Sequence, residues 1–389
     1  MENPANGDER TLWKSGHRFR LLVDGSRFFP TMLESIRQAQ RYVLLEMYLV
    51  ESGELATRFI AALCDAASRG VQVYLLFDGY GSLRLSRGDR DLLMSEGAHL
   101  LFYNPLRFSH WQRNLFRNHR KLLLVDGVLA YTGGFGLKDL FDPSLEPEKY
   151  WHDVVLKIEG PSVETWQALF METWNRWSRI PLQLPEPPAV PTRAGVQRGR
   201  VAAHSRYLKR SEIKQSFVSH IRQARQRVWL STAYFVPSAK LRRALIRAAG
   251  NGVDVRLMLP GPYTDHPEIR WLGRYHYERM LRNGVRIFEY QPRFLHAKVI
   301  MCDHWVSIGS ANGDRWNEHW NLEANQEVED SAVIEAVEAF FEEDFLQCIE
   351  FEYTEWRIRP WYHRLWERFL GKVVTIVAWF WREKRNPPQ

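Results

Sequence analysis

From about residue 32 onward the chain alternates between helical and strand-like spacing of its apolar residues. A helical segment around Met32 to Gln40 is followed by the apolar run Tyr42 to Val50. A long helical stretch then reaches Ser68 and a Gly70 stop, and the strand Val71 to Phe77 closes on Asp78-Gly79. This strand-helix-strand rhythm predicts an α/β fold with mixed sheets covered by helices. The second half repeats it: Ile221-Arg222-Gln223-Ala224-Arg225 answers Ile36-Arg37-Gln38-Ala39-Gln40, Ala248 to Val255 answers Ala66 to Val73, and Gly284 to Pro292 answers Gly97 to Pro105. A repeated unit argues for two halves packed about a pseudo-two-fold axis.

The repeat carries chemistry. His119-Arg120-Lys121 and His296-Ala297-Lys298 each begin an H-x-K-x-x-x-x-D motif that ends at Asp126 or Asp303. Apolar, partly β-branched residues follow each lysine, so both motifs predict buried strands. On a strand, positions i and i+2 face the same way, which projects His119 with Lys121 and His296 with Lys298. Asp126 and Asp303 have the opposite parity and sit at the strand ends, where capping a turn is the readier role. One site between the halves uses two histidines and two lysines better than two separate sites would.

Small-residue turns follow each motif, Gly133-Gly134-Phe135-Gly136 and Gly309-Ser310-Ala311-Asn312. Such turns let the backbone approach a ligand, which makes Gly134, Ser310 and Asn312 candidate phosphate binders. Asp153 and Glu323 each lie 27 to 34 residues past their half's histidine and are candidates to hold an imidazole Nδ1–H. Before His119 the first half carries ten additional residues, rich in Arg and aromatics: Arg107, Phe108, Trp111, Arg113, Phe116 and Arg117.

These residues resemble the phospholipase D superfamily and, within it, the bacterial cardiolipin synthases. The resemblance covers roughly residues 18 to 345 and rests on Phe28-Phe29-Pro30, Asp78-Gly79-Tyr80-Gly81-Ser82, Arg117-Asn118-His119-Arg120-Lys121, Ile158-Glu159-Gly160-Pro161, and Leu295-His296-Ala297-Lys298 with Gly309-Ser310-Ala311-Asn312. It implies two phospholipase D-like α/β/α halves with the active site at their interface and no metal or other cofactor. It further implies a catalytic set of His119, Lys121, Asp126, His296, Lys298 and Asp303, with His119 as nucleophile, His296 as acid/base, and Asp153 and Glu323 as orienting carboxylates. The implied reaction transfers a phosphatidyl group from one phosphatidylglycerol to the hydroxyl of another phospholipid. One departure stands out: the first turn ends in Gly136 where the resemblance implies Asn.

Composition narrows the setting. The 389 residues are 45% hydrophobic and 25% charged, as in a folded globular chain long enough for two domains. Cys64, Cys302 and Cys348 lie far apart without ligand or disulfide spacing, which fits a reducing environment. The polar, acidic N-terminus is unlike a secretory signal, and no apolar run reaches the roughly 18 to 20 residues that span a bilayer. Of the net charge of +7, residues 356–389 supply +6. That concentration argues against a polynucleotide as substrate; the alternative is a phospholipase D-type phosphodiesterase or nuclease that hydrolyses phosphodiesters, the nuclease being what the Arg-rich insertion favours. Trp361, Leu365, Phe369, Val373 and Phe380 follow helical spacing beside basic residues, as in an amphipathic helix on an anionic membrane surface; a helix packed on the second half is the competing reading. The expected organisation is a first half over 1–180, a Pro-rich linker over 181–200 with Pro181, Pro185, Pro187, Pro188 and Pro191, a second half over 201–355, and a tail over 356–389. The expected location is the cytoplasmic face of a bacterial inner membrane, with peripheral attachment.

Overall fold

The computed structural model describes residues 12–106, 113–185, 194–205, 210–313 and 320–360. Most of the insertion, much of the linker and nearly all of the tail, with the amphipathic helix expected there, lie outside them. Two sheets of matching strand order make up the core. The first runs β4 (His99–Tyr103), β3 (Gln72–Asp78), β2 (Tyr42–Met47), β6 (Leu122–Val125), β7 (Leu129–Gly133), β8 (Val154–Glu159), β1 (Lys14–Val23). The second runs β13 (Arg286–Tyr290), β12 (Asp254–Pro260), β11 (Arg227–Ser231), β14 (Val299–Cys302), β15 (Trp305–Gly309), β16 (Asn321–Glu329), β9 (Gln197–Ser205). Three parallel strands joined by helices lead in each sheet, and the motif strand β6 or β14 runs antiparallel beside them. The duplication in the sequence is therefore a duplication of strand order.

β2, β6 and β14 read Tyr-Val-Leu-Leu-Glu-Met, Leu-Leu-Leu-Val and Val-Ile-Met-Cys and are buried at every position. Continuous apolar runs of this kind form where helices or a second sheet cover both faces. On one side of the first sheet lie α1 (Gly25–Arg37) and α2 (Glu54–Ser68); α5 (Glu212–Gln223) and α6 (Ala239–Gly250) serve the second. Between the halves runs a shared core in which Trp166 and Phe170 of the helix Ser162–Trp177 meet Val306, Ile308, Phe340 and Phe341. Further hydrogen bonding joins the sheets, because β1 pairs with β9 and the short strand β5 (Arg117–Asn118) pairs in parallel with β16. Among the described residues no helix is long and apolar enough to cross a membrane.

Candidate active site

Each motif histidine is stitched onto the opposite half. The His119 N–H donates to the Leu322 carbonyl at 3.0 Å, extending the β5–β16 pairing. In the same way the His296 N–H donates to the His152 carbonyl at 2.8 Å, and the His152 N–H to the Phe294 carbonyl at 2.9 Å. Leu322 and His152 immediately precede Glu323 and Asp153, so the orienting carboxylates cross over. Glu323 contacts His119 Nδ1 at 2.9 Å through Oε1 and 3.1 Å through Oε2, and Asp153 Oδ2 contacts His296 Nδ1 at 2.7 Å. The sequence placed each carboxylate downstream in its own histidine's half; in the fold each serves the histidine of the other.

All six of these side chains are buried, with Lys121 Nζ 2.6 Å from the His119 carbonyl and Lys298 Nζ 2.5 Å from that of His296. Charges from both motifs act on one another. Burial holds His296 well below its ordinary value, helped by Lys298, Lys121 and His119. Burial likewise lowers His119, against the opposing pull of Glu323, and pushes Lys121 down to about 7 despite Glu323. Burial pushes Asp153 up to about 7, which Lys298 only partly offsets. Glu323 differs: burial alone would raise it, but the His119 charge and hydrogen bond, Lys121, and a hydrogen bond from Ser310 together hold it below the usual carboxylate range.

The turns explain this contrast. Gly134 and Ser310 are equivalent in the repeat, and both abut an orienting carboxylate rather than standing clear for a ligand. A Cβ on Gly134 would lie 2.4 Å from Asp153 Oδ2, so glycine is what admits that carboxylate. Ser310 presents a hydroxyl to Glu323 and also contacts the Ala324 backbone. Asn312 accepts from the Thr232 hydroxyl at 3.3 Å through Oδ1, while its buried Nδ2 has no partner. At the equivalent Gly136 a Cβ would come within 3.1 Å of both Leu49 Cβ and Phe141 Cε2. Phe141 occupies the space an asparagine there would need.

Asp126 and Asp303 do not join this group. Each has positive φ, 54° and 48°, at the far end of its strand from the lysine. Asp126 accepts the N–H groups of Gln40, Arg41 and Tyr42 at 2.8 to 3.0 Å. Asp303 accepts those of Arg225, Gln226 and Arg227 at 2.7 to 3.0 Å. Five steps of extended chain separate each from its lysine, about 16 Å. Grouping them with the reacting residues is corrected by this geometry: their carboxylates tie a helix-to-strand turn to the motif strand, as their parity indicated.

Sequence reasoning missed most of the walls. Around His296 stand Trp151, Phe141, Phe294 and Tyr234, with ring centroids at 5.1, 5.3, 5.5 and 6.5 Å. Beside His119, Tyr48 packs edge-on at 4.8 Å; on the opposite face of the same segment Asn118 Nδ2 donates to Glu46 at 2.7 Å, and Arg120 Nε lies 3.3 Å from the same oxygen. Also missed was His152, whose Nδ1 and Nε2 bond Asp24 at 2.7 Å and Asp344 at 2.8 Å. Despite burial, the bonds and charges of those two carboxylates raise it to about 10, an imidazolium locked between the halves beside Asp153. The contrast in motif neighbours, Arg-Asn-His-Arg-Lys against Phe-Leu-His-Ala-Lys, was the available signal for the walls.

Two pseudo-symmetric sheets that share one pair of histidines and one pair of lysines define a phospholipase D-like protein. A family profile described as cardiolipin synthase, PLD-like domain, matches residues 32–172 and 217–345, once in each half. The chain belongs to that cardiolipin synthase family. It is 31% identical over 354 residues to a cardiolipin synthase of Geobacillus thermodenitrificans, covering 89% of this chain and 70% of that one. It is 30% identical over 367 residues to the major cardiolipin synthase of Bacillus subtilis, covering 92% of this chain and 74% of the relative. Among solved structures, a phosphatidylserine synthase of Haemophilus influenzae superposes with a TM-score of 0.66 at 14% identity, over 92% of this chain and 93% of that one, a likeness of fold alone.

Proposed function

We propose that this protein is a cardiolipin-forming phosphatidyltransferase that takes the phosphatidyl group from one phosphatidylglycerol, releases glycerol, and passes the group to the hydroxyl of a second. The observation that carries this reading is the crossed pair of histidine–carboxylate contacts, with a lysine beside each histidine, in a chain of this family. His119 Nε2 attacks phosphorus. Glu323, held ionised, fixes the Nδ1–H tautomer and stabilises the positive imidazole ring of the phosphohistidine. Lys121, Lys298 and Asn312 Nδ2 offset charge on the nonbridging oxygens.

His296, hydrogen-bonded to Asp153 at 2.7 Å, protonates the departing glycerol and then takes the acceptor's proton. The aromatic wall at His296 supports transfer over hydrolysis, because it keeps water from the leaving and entering oxygens. The nuclease alternative is not favoured by the family or by this wall. We place the protein on the cytoplasmic face of a bacterial inner membrane, held peripherally, and we assign its 356–389 tail to anionic lipid.

Protein incubated with phosphatidylglycerol vesicles and no added metal is expected to yield cardiolipin and free glycerol. Phosphatidic acid as the sole product, or loss of activity with a chelator, rejects the mechanism. Deleting residues 361–389 is expected to weaken vesicle binding and to spare turnover of detergent-dispersed lipid.

A further inference from the structure

The duplication makes one residue near the site conspicuous. Arg117 stands two residues before His119, and its counterpart two residues before His296 is Phe294. The fold thus accepts an apolar ring at this position. In the first half it holds a guanidinium whose side chain is only 8% exposed. Nη1 is occupied by Asp78 Oδ1 at 3.3 Å and the Asn104 carbonyl at 3.0 Å, but Nε and Nη2 are buried with no partner. No other arginine among the described residues leaves two buried nitrogens unpaired. Asp78 is already engaged, accepting the N–H groups of Tyr80, Gly81 and Asn118 at 2.8 to 3.0 Å.

The guanidinium belongs to the reacting face. Asn118 and Arg120 turn toward Glu46, and the alternation of this extended segment, whose His119 N–H continues the β5–β16 pairing, sends Arg117, His119 and Lys121 the other way. Tyr48 packs on His119 and its hydroxyl feels the charges of both Arg117 and Glu323. Over the guanidinium lies the Tyr80 ring, 5.8 Å from its centre and 52% exposed. That ring is carried between Gly79 and Gly81, both pressed against neighbouring backbone at Pro105 and Tyr48. Tyr80 is therefore the solvent-facing cover of a buried cation with two donors to spare.

We propose that Arg117, uncovered by rotation of Tyr80, binds the acceptor's own phosphate, so that the second substrate is a phosphodiester lipid with a hydroxyl one glycerol length from that phosphate. Nε and Nη2 form the side-on edge that grips two phosphate oxygens together. The spacing fits: two residues of extended chain separate Arg117 from His119 by about 7 Å, and a glycerol spans about 6 Å from phosphorus to its terminal oxygen at ordinary bond lengths. An acceptor so held gives its hydroxyl proton to His296. Its oxygen bonds to phosphorus, the P–Nε2 bond breaks, and the electron pair returns to His119. Water has no phosphate to hold and gains nothing from Arg117. This inference rests on the transferase reading above.

The test is the ratio of cardiolipin to phosphatidic acid formed by the full chain from phosphatidylglycerol in mixed micelles. Arg117→Gln is expected to lower the ratio at least tenfold, with Arg117→Lys between it and the wild type. If both products fall together at a constant ratio, Arg117 is not an acceptor site. The unaltered protein provides a measurement free of folding effects, with glycerophosphoglycerol and 1,2-propanediol as competing acceptors. The phosphodiester acceptor is expected to have a KM at least tenfold lower, and equal values overturn the proposal. A wild type that makes phosphatidic acid but no cardiolipin instead removes the transferase reading itself.

Discussion

The two halves share a strand order and a motif, yet they give their histidines opposite surroundings. His119 lies against the Glu323 carboxylate and the Tyr48 ring, with Lys121 on its own carbonyl and Glu323 held below its usual range. His296 lies among Phe141, Trp151, Phe294 and Tyr234, with Asp153 pushed up to about 7. Part of the difference comes from one pair of equivalent positions, where Ser310 offers Glu323 a hydroxyl and Gly134 offers Asp153 nothing. The lesson is that a duplicated site acquires two chemical roles through the neighbours of its catalytic groups while the groups themselves stay the same.

The histidines give the strongest way to break the comparison. His119→Ala and His296→Ala are each expected to lower cardiolipin formation by on the order of a thousandfold. A donor with a nitrophenol leaving group, which needs no proton, separates them: His296→Ala should still accumulate phosphorylated protein, readable by mass spectrometry, and His119→Ala should not. The reverse pattern exchanges the two roles.

Next in size come the orienting carboxylates. Asp153→Asn and Glu323→Gln are each expected to cost about a hundredfold or more in rate, because the wrong ring tautomer is favoured. Their effects on stability should have opposite signs. Asp153 titrates at about 7 in the fold against 3.8 unfolded, so between those values the folded state carries the extra proton and stability falls as pH rises. Above pH 7 its ionised form is a burden, and Asp153→Asn should raise the melting temperature there. Glu323 is lowered in the fold, so its contribution is present above its unfolded pKa and is lost as pH falls; Glu323→Gln should lower the melting temperature at pH 7. Shifts of the same sign would mean the two environments do not differ as described.

His152 sharpens the comparison further, since its counterpart across the pseudo-two-fold is the apolar Leu322. With its pKa raised to about 10, it contributes stability that is fully present below about 6.5, the unfolded value, and is lost as pH rises through about 10. His152→Gln leaves the buried Asp344 and the partly buried Asp24 short of a partner and should cost about 3 kcal/mol in denaturant unfolding. Turnover should fall by roughly tenfold as Asp153 loses its rigid neighbour. Smallest in rate are Asp126→Asn and Asp303→Asn. Each should cost about 1 to 2 kcal/mol of stability through weakened backbone ties, with turnover of the folded protein within about threefold. A hundredfold loss in either would return the motif aspartates to the reacting group.

Several of these features were legible before any coordinates. Tyr42 to Met47 and Leu122 to Val125 are strands because only a strand covered on both faces accommodates such runs. The parity that separates Asp126 from Lys121 followed from the two-residue period of the strand. Less legible was the partner of each histidine. Parity states which face a side chain takes and is silent on which distant segment lies opposite, so spacing alone left open which histidine Asp153 and Glu323 would each meet. Gly136 read as a departure from the Asn that the resemblance implies, and in the fold a side chain there would press on Leu49 and Phe141.

By itself the sequence determined the duplicated α/β units, the four basic groups of the site and their place in two extended segments that lead into the strands Leu122–Val125 and Val299–Cys302. These depend on local periodicity and on side-chain chemistry, which are written along the chain. Only the tertiary structure decided that the halves exchange their orienting carboxylates, that Ser310 and Gly134 set those carboxylates apart, and that Arg117 is buried with donors to spare. Those outcomes depend on strand pairing between residues some 140 to 200 positions apart, such as β5 with β16 and His152 with Leu295, and on the desolvation that this pairing imposes.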